Sequence, residues 1–276
     1  MTVFNHLFKE LFKQKNRNAN AVIIIQLISA LAITIISFVA EGRYEAEYWK
    51  MVLPMFTFLF AVTSIIALPI YLVVTCYKNE HVNRSQTWRL APISDEMFYL
   101  DNTLSSFISV IYLLIVQIIV TAIFAGISFL LFNENLNDTF QSFIDGFKAG
   151  SHWHFNIIIG NVLQIICLTI LISLFTYLIV SFLNFSTRAI VDYLPGISSK
   201  AAVTVLRLVL IIVIAKLLEK IFELFSNLLL SPTNFLFGDI NITLNGIIFL
   251  FLVIDIVLLL ANMLLINKFF EAEQNK

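Results

Sequence analysis

Residues 104–132 read LSSFISVIYLLIVQIIVTAIFAGISFLLF and contain no charged side chain. A helix of about 20 apolar residues is long enough to cross the hydrocarbon core of a bilayer. The run lacks the polar and apolar alternation of a barrel strand, and only helices and closed barrels satisfy the backbone in lipid. The stretch therefore predicts a membrane-spanning helix, and we expect the chain to be an all-α integral membrane protein.

The composition of the chain agrees with this class. Of the 276 residues, 59% are hydrophobic and 13% are charged, and the charged fraction is about half that of an ordinary soluble domain. The net charge is −1 and there is no basic block. A nucleic-acid partner is therefore not expected.

Apolar runs predict six spans within one transmembrane domain covering residues 1–276. The fifth run is less uniform than the others, because Arg207 and Lys216 interrupt it. The six predicted spans are residues 21–40, 51–77, 104–132, 155–184, 201–217 and 246–267.

The positions of Lys and Arg predict the orientation of the spans. With the N-terminus in the cytoplasm, most Lys and Arg residues fall in inner segments, and the outer loops hold only Arg43, Lys50 and Lys148. Positive residues concentrate on the cytoplasmic side of membrane proteins. We therefore expect a multi-pass protein of the cell membrane with both termini in the cytoplasm.

The N-terminal residues 1–19 carry an apolar stripe at helical spacing. Lys9, Glu10 and Lys13 lie away from this stripe. The pattern predicts an amphipathic helix in the inner membrane interface, with its lysines near anionic lipid headgroups. A helix packed on a partner protein is the alternative. The predicted anchors are Phe4, Leu7, Phe8, Leu11 and Phe12.

Between the second and third predicted spans lies NRSQTWRLAPISDEMFYL, residues 83–100, which we call the elbow. Asn83 or Ser85 can cap a short helix that ends before Pro92. Ser94, followed by two acidic residues, is typical of a second helix start. The elbow is therefore expected to be an ordered element on the cytoplasmic side.

The elbow also has the composition of a docking surface. Trp88 and Leu90 stand beside Arg84 and Arg89, and aromatic residues and arginines are enriched in protein interfaces. The alternative is that the elbow folds on its own membrane domain, with the Trp88 ring at the level of the headgroups. The residues alone do not choose between the two.

The predicted fifth span is followed by charges on one helical face, formed by Lys216, Glu219, Lys220 and Glu223. Such a face is costly in the middle of a bilayer. We therefore expect the span to end near Lys216 and residues 218–244 to form an outer helical insertion with a short re-entrant or surface piece. If the helix is instead long and straight, the charged face must line a polar cavity.

Asp255 is the one acidic residue inside the predicted sixth span. An acid inside a membrane is a candidate proton or cation site. The structural alternatives are an ion pair with Arg207 on the fifth span or a protonated acid that is hydrogen-bonded within the bundle. We favour a structural role, because no second acid lies at a similar depth.

The sequence contains none of the common catalytic motifs. There is no G-x-x-x-x-G-K-[ST] loop for nucleotide phosphates, no H-E-x-x-H and no G-x-S-x-G. We therefore expect a protein that is not an enzyme, with no metal and no cofactor in this chain.

The elbow carries a resemblance to a known family. Its residues 87–94, TWRLAPIS, resemble the Leu-x-Pro-[IV]-Ser-like turn in the permease subunits of type-2 ABC exporters. The overall layout is also similar, with an interfacial N-terminus, six spans and an outer insertion before the last span. The acidic residue often found just ahead of the short helix is missing, unless Glu80 takes its place.

The resemblance implies a half-transporter in a bacterial cell membrane. Two permease chains, identical or related, would associate with two ABC ATPase subunits, which bind ATP and Mg²⁺. In the family this elbow couples the spans to the ATPase, and the cargo would be an amphipathic or hydrophobic molecule such as a peptide, lipid, lipid-linked molecule or drug. The implied coupling residues are Arg84, Ser85, Thr87, Trp88, Arg89 and Leu90.

Two other functions stay open at the level of sequence. One is a secondary carrier centred on Asp255, which would transport without an ATPase. The other is a membrane protein that does not transport, such as an immunity or scaffold factor, for which changes in the elbow would be harmless.

Overall fold

The computed structural model describes residues 3–40, 46–85, 88, 92–131, 155–193, 200–229 and 240–269. All regular structure in this part of the chain is α-helical, as the sequence predicts. The helices are α1 (Val3–Ala40), α2 (Ala46–Arg84), α3 (Asp95–Leu131), α4 (Phe155–Tyr193), α5 (Lys200–Leu229) and α6 (Ile240–Phe269).

Within the described residues, five helices are long and apolar enough to cross a membrane. These candidate spans are Phe4–Ala40, Met51–Arg84, Asp95–Leu131, Gly160–Ile190 and Leu244–Lys268. The chain is therefore a multi-pass membrane protein by helix length and hydropathy. The first, second, third, fourth and sixth predicted spans each correspond to one of these helices.

α1 differs from its prediction. The expected boundary between an interfacial helix over residues 1–19 and a span from residue 21 is absent, because Val3–Ala40 is one continuous helix of 38 residues. The segment contains neither Gly nor Pro, so no residue interrupts the helical hydrogen bonds. The structure contains one long apolar helix here and no separate interfacial helix.

α2 and α3 extend beyond their predicted spans toward the elbow. α2 continues to Arg84, past the predicted end at residue 77, and it remains helical through Pro54 and Pro69. α3 begins at Asp95, because the Ser94 hydroxyl accepts a hydrogen bond from the Met97 N–H at 3.4 Å. Polar residues thus extend both helices, and hydropathy alone gave boundaries that were too short.

α5 also runs further than its predicted span. The helix continues through Lys216 to Leu229, and its only candidate apolar segment in the described residues is the short Thr204–Ile214. Because this apolar segment is short, α5 is not one of the five candidate spans. The predicted insertion over residues 218–244 is helical up to Leu229 and again from Ile240, while residues 230–239 lie outside the described residues.

The chain divides into two compact units. The first comprises residues 1–11, 76–107 and 160–276, and its largest buried side chains include Tyr99 and Phe185, whose rings meet edge to face with centroids 5.6 Å apart. Such offset aromatic contacts stabilise a core beyond the area they bury. Leu178 and Ile266 complete this cluster.

The second unit comprises residues 12–75 and 108–159. Its core contains Phe56 and Phe60 on α2, and Phe56 meets the Phe124 ring of α3 edge to face with centroids 4.9 Å apart. Beside this core, the buried Gln26 side chain of α1 donates to the Phe60 carbonyl at 3.0 Å and accepts from Gln117 of α3 at 2.9 Å. Apolar packing and interhelical hydrogen bonds thus act together.

Candidate functional site

The most polar buried region of the first unit joins the two helices that flank the elbow. Asn79 and Asn83 are one turn apart on α2, and Asn102 and Ser106 are one turn apart on α3. The Asn102 side-chain amide donates to the Asn83 Oδ1 at 2.7 Å and to the Asn79 carbonyl at 3.2 Å. The Ser106 hydroxyl donates to the Asn79 Oδ1 at 2.8 Å. All of these amide side chains are buried, so α2 and α3 are joined by hydrogen bonds that water does not reach.

Glu80 extends this region to α4. The Ser181 hydroxyl of α4 donates to the Glu80 Oε1 at 2.7 Å, and the Asn83 amide lies 3.5 Å from the same oxygen. The Oε2 atom is buried and has no hydrogen-bond partner among the described residues. Arg84, one helical turn further along α2, supplies a positive charge near the carboxyl group. A buried carboxylate needs such donors and charges to offset its lost hydration.

Asn262 connects α6 to the same unit. Its side-chain amide donates to the Tyr99 hydroxyl and to the Leu178 carbonyl, both at 2.9 Å. Asn262 is fully buried. We call the polar side chains that join these four helices the polar network; they are Asn79, Glu80, Asn83, Tyr99, Asn102, Ser106, Ser181 and Asn262.

The N-terminal end of α1 packs against the stems of the elbow. Leu7 and Leu11 are buried in one cluster with Val82 at the end of α2 and Phe98 at the start of α3. Two turns of the predicted membrane anchor are thus covered by protein in this structure. The other three predicted anchors, Phe4, Phe8 and Phe12, are each half-buried.

The predicted coupling residues are only partly described. Arg84 ends α2, and the Ser85 N–H donates to the Val82 carbonyl at 3.1 Å. Trp88 is half-buried and packs against the same cluster as Leu7 and Leu11, as does Ile93 of the elbow. The elbow is therefore attached to its own unit on one side. Thr87, Arg89 and Leu90, like the rest of the predicted short helix apart from Ser85 and Trp88, lie outside the described residues.

Asp255 is buried, with 3% of its surface exposed. Neither of its carboxyl oxygens has a hydrogen-bond partner in the part of the chain that the structure describes. The side chain of Arg207, the predicted partner, lies outside that part. The proposed ion pair between these two residues therefore remains a prediction.

Sequence reasoning did not assemble the polar network. A signal was present, because Asn79 and Asn83 on α2, and Asn102 and Ser106 on α3, recur four residues apart and so share a helical face. What the sequence lacked was any sign that these two faces meet. The contact of Ser181 with Glu80 spans 101 positions and leaves no local pattern.

The polar network is an arrangement of interhelical hydrogen bonds. Within the described residues, no group of three or more His, Cys, Asp or Glu side chains could hold a metal ion. Comparison with protein-family models, with curated proteins and with solved structures found no match. Fold and site together define a helical, multi-pass integral membrane protein with a buried polar region between four helices.

Proposed function

We propose that this chain is the transmembrane permease subunit of a type-2 ABC exporter. It would move an amphipathic or hydrophobic cargo out of the cell, driven by a separate ATPase that docks on the elbow, residues 83–100. The observation that carries the proposal is that buried hydrogen bonds join the two stems of the elbow to each other and join the α2 stem to α4. This is the construction that a docking element needs if its movement is to reach the spans.

The polar network supports a mechanical path from the elbow. A displacement of the Arg84 end of α2 also displaces Asn79 and Asn83, whose bonds to Asn102 carry the displacement to α3. Through Glu80 and Ser181 the same displacement reaches α4. Nucleotide would drive transport only by binding the ATPase better in one of the two resulting conformations.

The contacts of the elbow support different roles for its residues, some holding it against its own unit and others contacting the ATPase. Trp88 packs on the cluster of Leu7 and Leu11 and would hold the elbow against its own unit. Arg89, with Arg84, would then provide charged contacts to the ATPase. Thr87 and Leu90 would complete the docking surface, as the resemblance implies.

The proposed orientation places both termini in the cytoplasm and has α5 cross the membrane as a sixth span. With 30 residues, α5 is about 45 Å long at 1.5 Å per residue, which exceeds the hydrocarbon thickness. If α5 does not cross, the termini lie on opposite sides. Cysteine labelling of residues added to each end, in sealed cells, separates the two topologies.

The decisive experiment is purification from the native host in mild detergent. We expect an ABC ATPase to accompany the chain and to lose its association with an Arg89→Glu variant. Lys268→Glu, a charge reversal at an exposed position near the end of α6, is the control and should retain the ATPase.

Two results together would reject the exporter. They are purification without any ATPase and an Arg89→Glu variant with unchanged function. If the chain is an immunity or scaffold factor, we expect its function to be unchanged by substitutions in the elbow.

Asp255 supports a second candidate, a secondary carrier. Its buried carboxyl group without a hydrogen-bond partner in the described residues is the kind of intramembrane acid that ion-coupled carriers use. Such a carrier would lose transport in an Asp255→Asn variant and would need no ATPase. The exporter predicts that ATP-driven transport survives the same substitution.

A further inference from the structure

Two buried acids of the first unit lie on different helices. Asp255 of α6 is 3% exposed, and Glu80 of α2 is 8% exposed. Both carboxyl oxygens of Asp255 and the Oε2 of Glu80 have no hydrogen-bond partner in the described part of the chain. A buried carboxyl group without donors is stabilised by a bound proton or by water. Both acids are therefore candidates for proton binding, provided that a path connects them with solvent.

Two hydrogen bonds fix the levels of α4 and α6 relative to each other. The Gln164 amide of α4 donates to the Asn245 Oδ1 of α6 at 3.0 Å. Further along both helices, the Asn262 amide of α6 donates to the Leu178 carbonyl of α4 at 2.9 Å. The two helices are therefore parallel, and a residue of α6 lies level with the α4 residue 81–84 positions earlier.

Buried hydroxyl groups lie on α4 from the level of Asp255 to the level of Glu80. By the offset between the helices, Asp255 is level with Ser173. Ser173, Tyr177 and Ser181 follow at intervals of four residues, so they share one face of α4, and they are 1%, 3% and 4% exposed. The Ser181 hydroxyl donates to the Glu80 Oε1 at 2.7 Å. We call these three side chains the hydroxyl column, which provides one hydroxyl group per turn between the two acids.

Asn262 adds a hydrogen-bond acceptor beside the hydroxyl column, about one turn beyond Tyr177. Its Oδ1 is buried and has no hydrogen-bond partner among the residues that the structure describes. Its amide donates to the Tyr99 hydroxyl at 2.9 Å. The Tyr99 hydroxyl also lies close to Ser181, so its hydrogen can point toward Ser181 and from there toward Glu80. Buried acceptors of this kind hold water molecules, which need several polar partners.

The charged groups around the two acids differ. No charged side chain in the described part of the chain acts on Asp255. The groups that face Glu80 are Cys76, Asn83 and Arg84 on its own helix, Tyr99 from α3, and Ser181 and Asn184 from α4. Because Glu80 does not act on Asp255 directly, a change in proton exchange at Asp255 in a Glu80 variant reports the path between them.

We propose that the hydroxyl column, together with water molecules held beside it, is a proton path that connects Asp255 with the elbow end of the protein through Glu80. The Asp255 carboxyl group gives its proton to the nearest hydroxyl group or water, and each group along the column passes on one proton as it receives one. Every transfer breaks one O–H bond and forms another, so no other reactant is needed. Glu80 receives the proton and releases it to solvent beside the half-buried Arg84 at the end of α2. The path goes beyond the proposed functions, because proton exchange requires neither an ATPase nor a cargo.

The first test measures proton exchange at Asp255 by infrared spectroscopy of the full-length chain in lipid vesicles, with any ATPase that accompanies it. A protonated carboxyl group has a C=O stretching band that shifts when deuterium replaces the proton, and the band lost in Asp255→Asn identifies this residue. After transfer to D2O, Tyr177→Phe and Ser181→Ala should slow the shift about tenfold or more, since a positioned group accelerates proton transfer by about 10²–10⁴-fold. Tyr71→Phe and Ser128→Ala are the matched controls and should exchange at the wild-type rate, because they remove similarly buried hydroxyl groups from the second unit.

Two further measurements separate a path from a structural effect. Ser181→Thr keeps the hydroxyl group and should restore the exchange that Ser181→Ala slows. In vesicles of one orientation, identified by a tag at the N-terminus, a pH step should change the Asp255 band only when it is applied at the elbow side, and Glu80→Gln should delay this response about tenfold. The tag lies on the elbow side, because Leu7 and Leu11 pack against both stems of the elbow.

Each outcome decides the proposal. Slower exchange in the column variants alone, reversed by threonine at position 181, supports it. The proposal is overturned if Asp255 has no pH-dependent band, if the column variants exchange at the wild-type rate, or if the controls slow equally. Slowing that Ser181→Thr does not reverse, or a response to pH at the opposite side, would also overturn it. The exporter is tested separately by the ATPase that purifies with the chain, so failure of one proposal is distinguishable from failure of the other.

Discussion

Removal of the Asn102 side chain should weaken the attachment between the two stems of the elbow. Its amide makes two interhelical hydrogen bonds, at 2.7 Å to the Asn83 Oδ1 and at 3.2 Å to the Asn79 carbonyl. Measured interhelical bonds in membrane proteins contribute about 0.6 kcal/mol on average, so two amount to about 1.2 kcal/mol. The Asn83 oxygen left without this donor adds about 1 kcal/mol. We therefore expect Asn102→Ala to lower the free energy of unfolding by about 2 kcal/mol.

A double-mutant cycle isolates the bond itself. Asn102→Ala, Asn83→Ala and the double variant are unfolded reversibly by SDS in mixed micelles, with helix content followed by circular dichroism. A buried bond predicts a coupling free energy of about 0.6–1.7 kcal/mol between the two positions. The control cycle pairs Asn102→Ala with Gln117→Ala, because Gln117 lies 15 residues further along α3, about 22 Å away, and hydrogen-bonds to Gln26 instead. There we expect additivity within about 0.3–0.5 kcal/mol.

The result that refutes this reasoning is additivity at Asn102 and Asn83. It would show that the two side chains do not stabilise each other in the folded protein, whatever their total effect on stability. The proposed transmission of movement from the elbow would then lack the contact between α2 and α3 on which it depends. A coupling of equal size in the control pair would instead show that the measured coupling does not come from the hydrogen bond between Asn102 and Asn83.

Three further substitutions test other parts of the structure by the same unfolding assay. Gln26→Leu removes the donor to the Phe60 carbonyl and the acceptor for Gln117, and we expect a loss of about 1–3 kcal/mol; no loss would argue against that arrangement. Asp255→Asn should leave stability unchanged or raise it, because the carboxyl group has no hydrogen-bond partner among the described residues; a loss above about 1 kcal/mol would indicate a partner outside them. Gly126→Ala should not destabilise, since an added Cβ meets nothing within 4 Å, and a loss of about 1 kcal/mol or more would show close packing there.

Hydropathy predicted that the chain is a helical membrane protein, because each apolar run must satisfy its own backbone hydrogen bonds in lipid. A run such as residues 104–132 has to be a helix, whatever it packs against. The ends of the helices were predicted less well. α2 and α3 continue beyond the apolar runs through polar residues such as Asn83 and Glu96, which are costly to place in lipid. Protein contacts satisfy these polar side chains, and a hydropathy average contains no information about such contacts.

The N-terminal prediction failed for a related reason. An apolar stripe at Leu7 and Leu11 is suited equally to a membrane surface and to a protein surface. The sequence could not show that Val82 and Phe98 would cover it. The same limit applied to Trp88, for which docking and folding back on its own unit were equal alternatives, and the structure gives Trp88 contacts within its own unit.

The sequence positions of the polar network also determine the order in which its hydrogen bonds can form while the chain is being synthesised. A chain is made from its N-terminus at about 5–20 residues per second. Asn102 follows Asn83 by 19 residues, whereas Ser181 follows Glu80 by 101 and Asn262 follows Tyr99 by 163. The Glu80 carboxylate therefore waits about 5–20 s for its hydroxyl donor while α3 is already being inserted. During that interval it must remain hydrated or be sheltered by the insertion machinery, and a chain cut short before Ser181 presents an unsatisfied acid to membrane proteases.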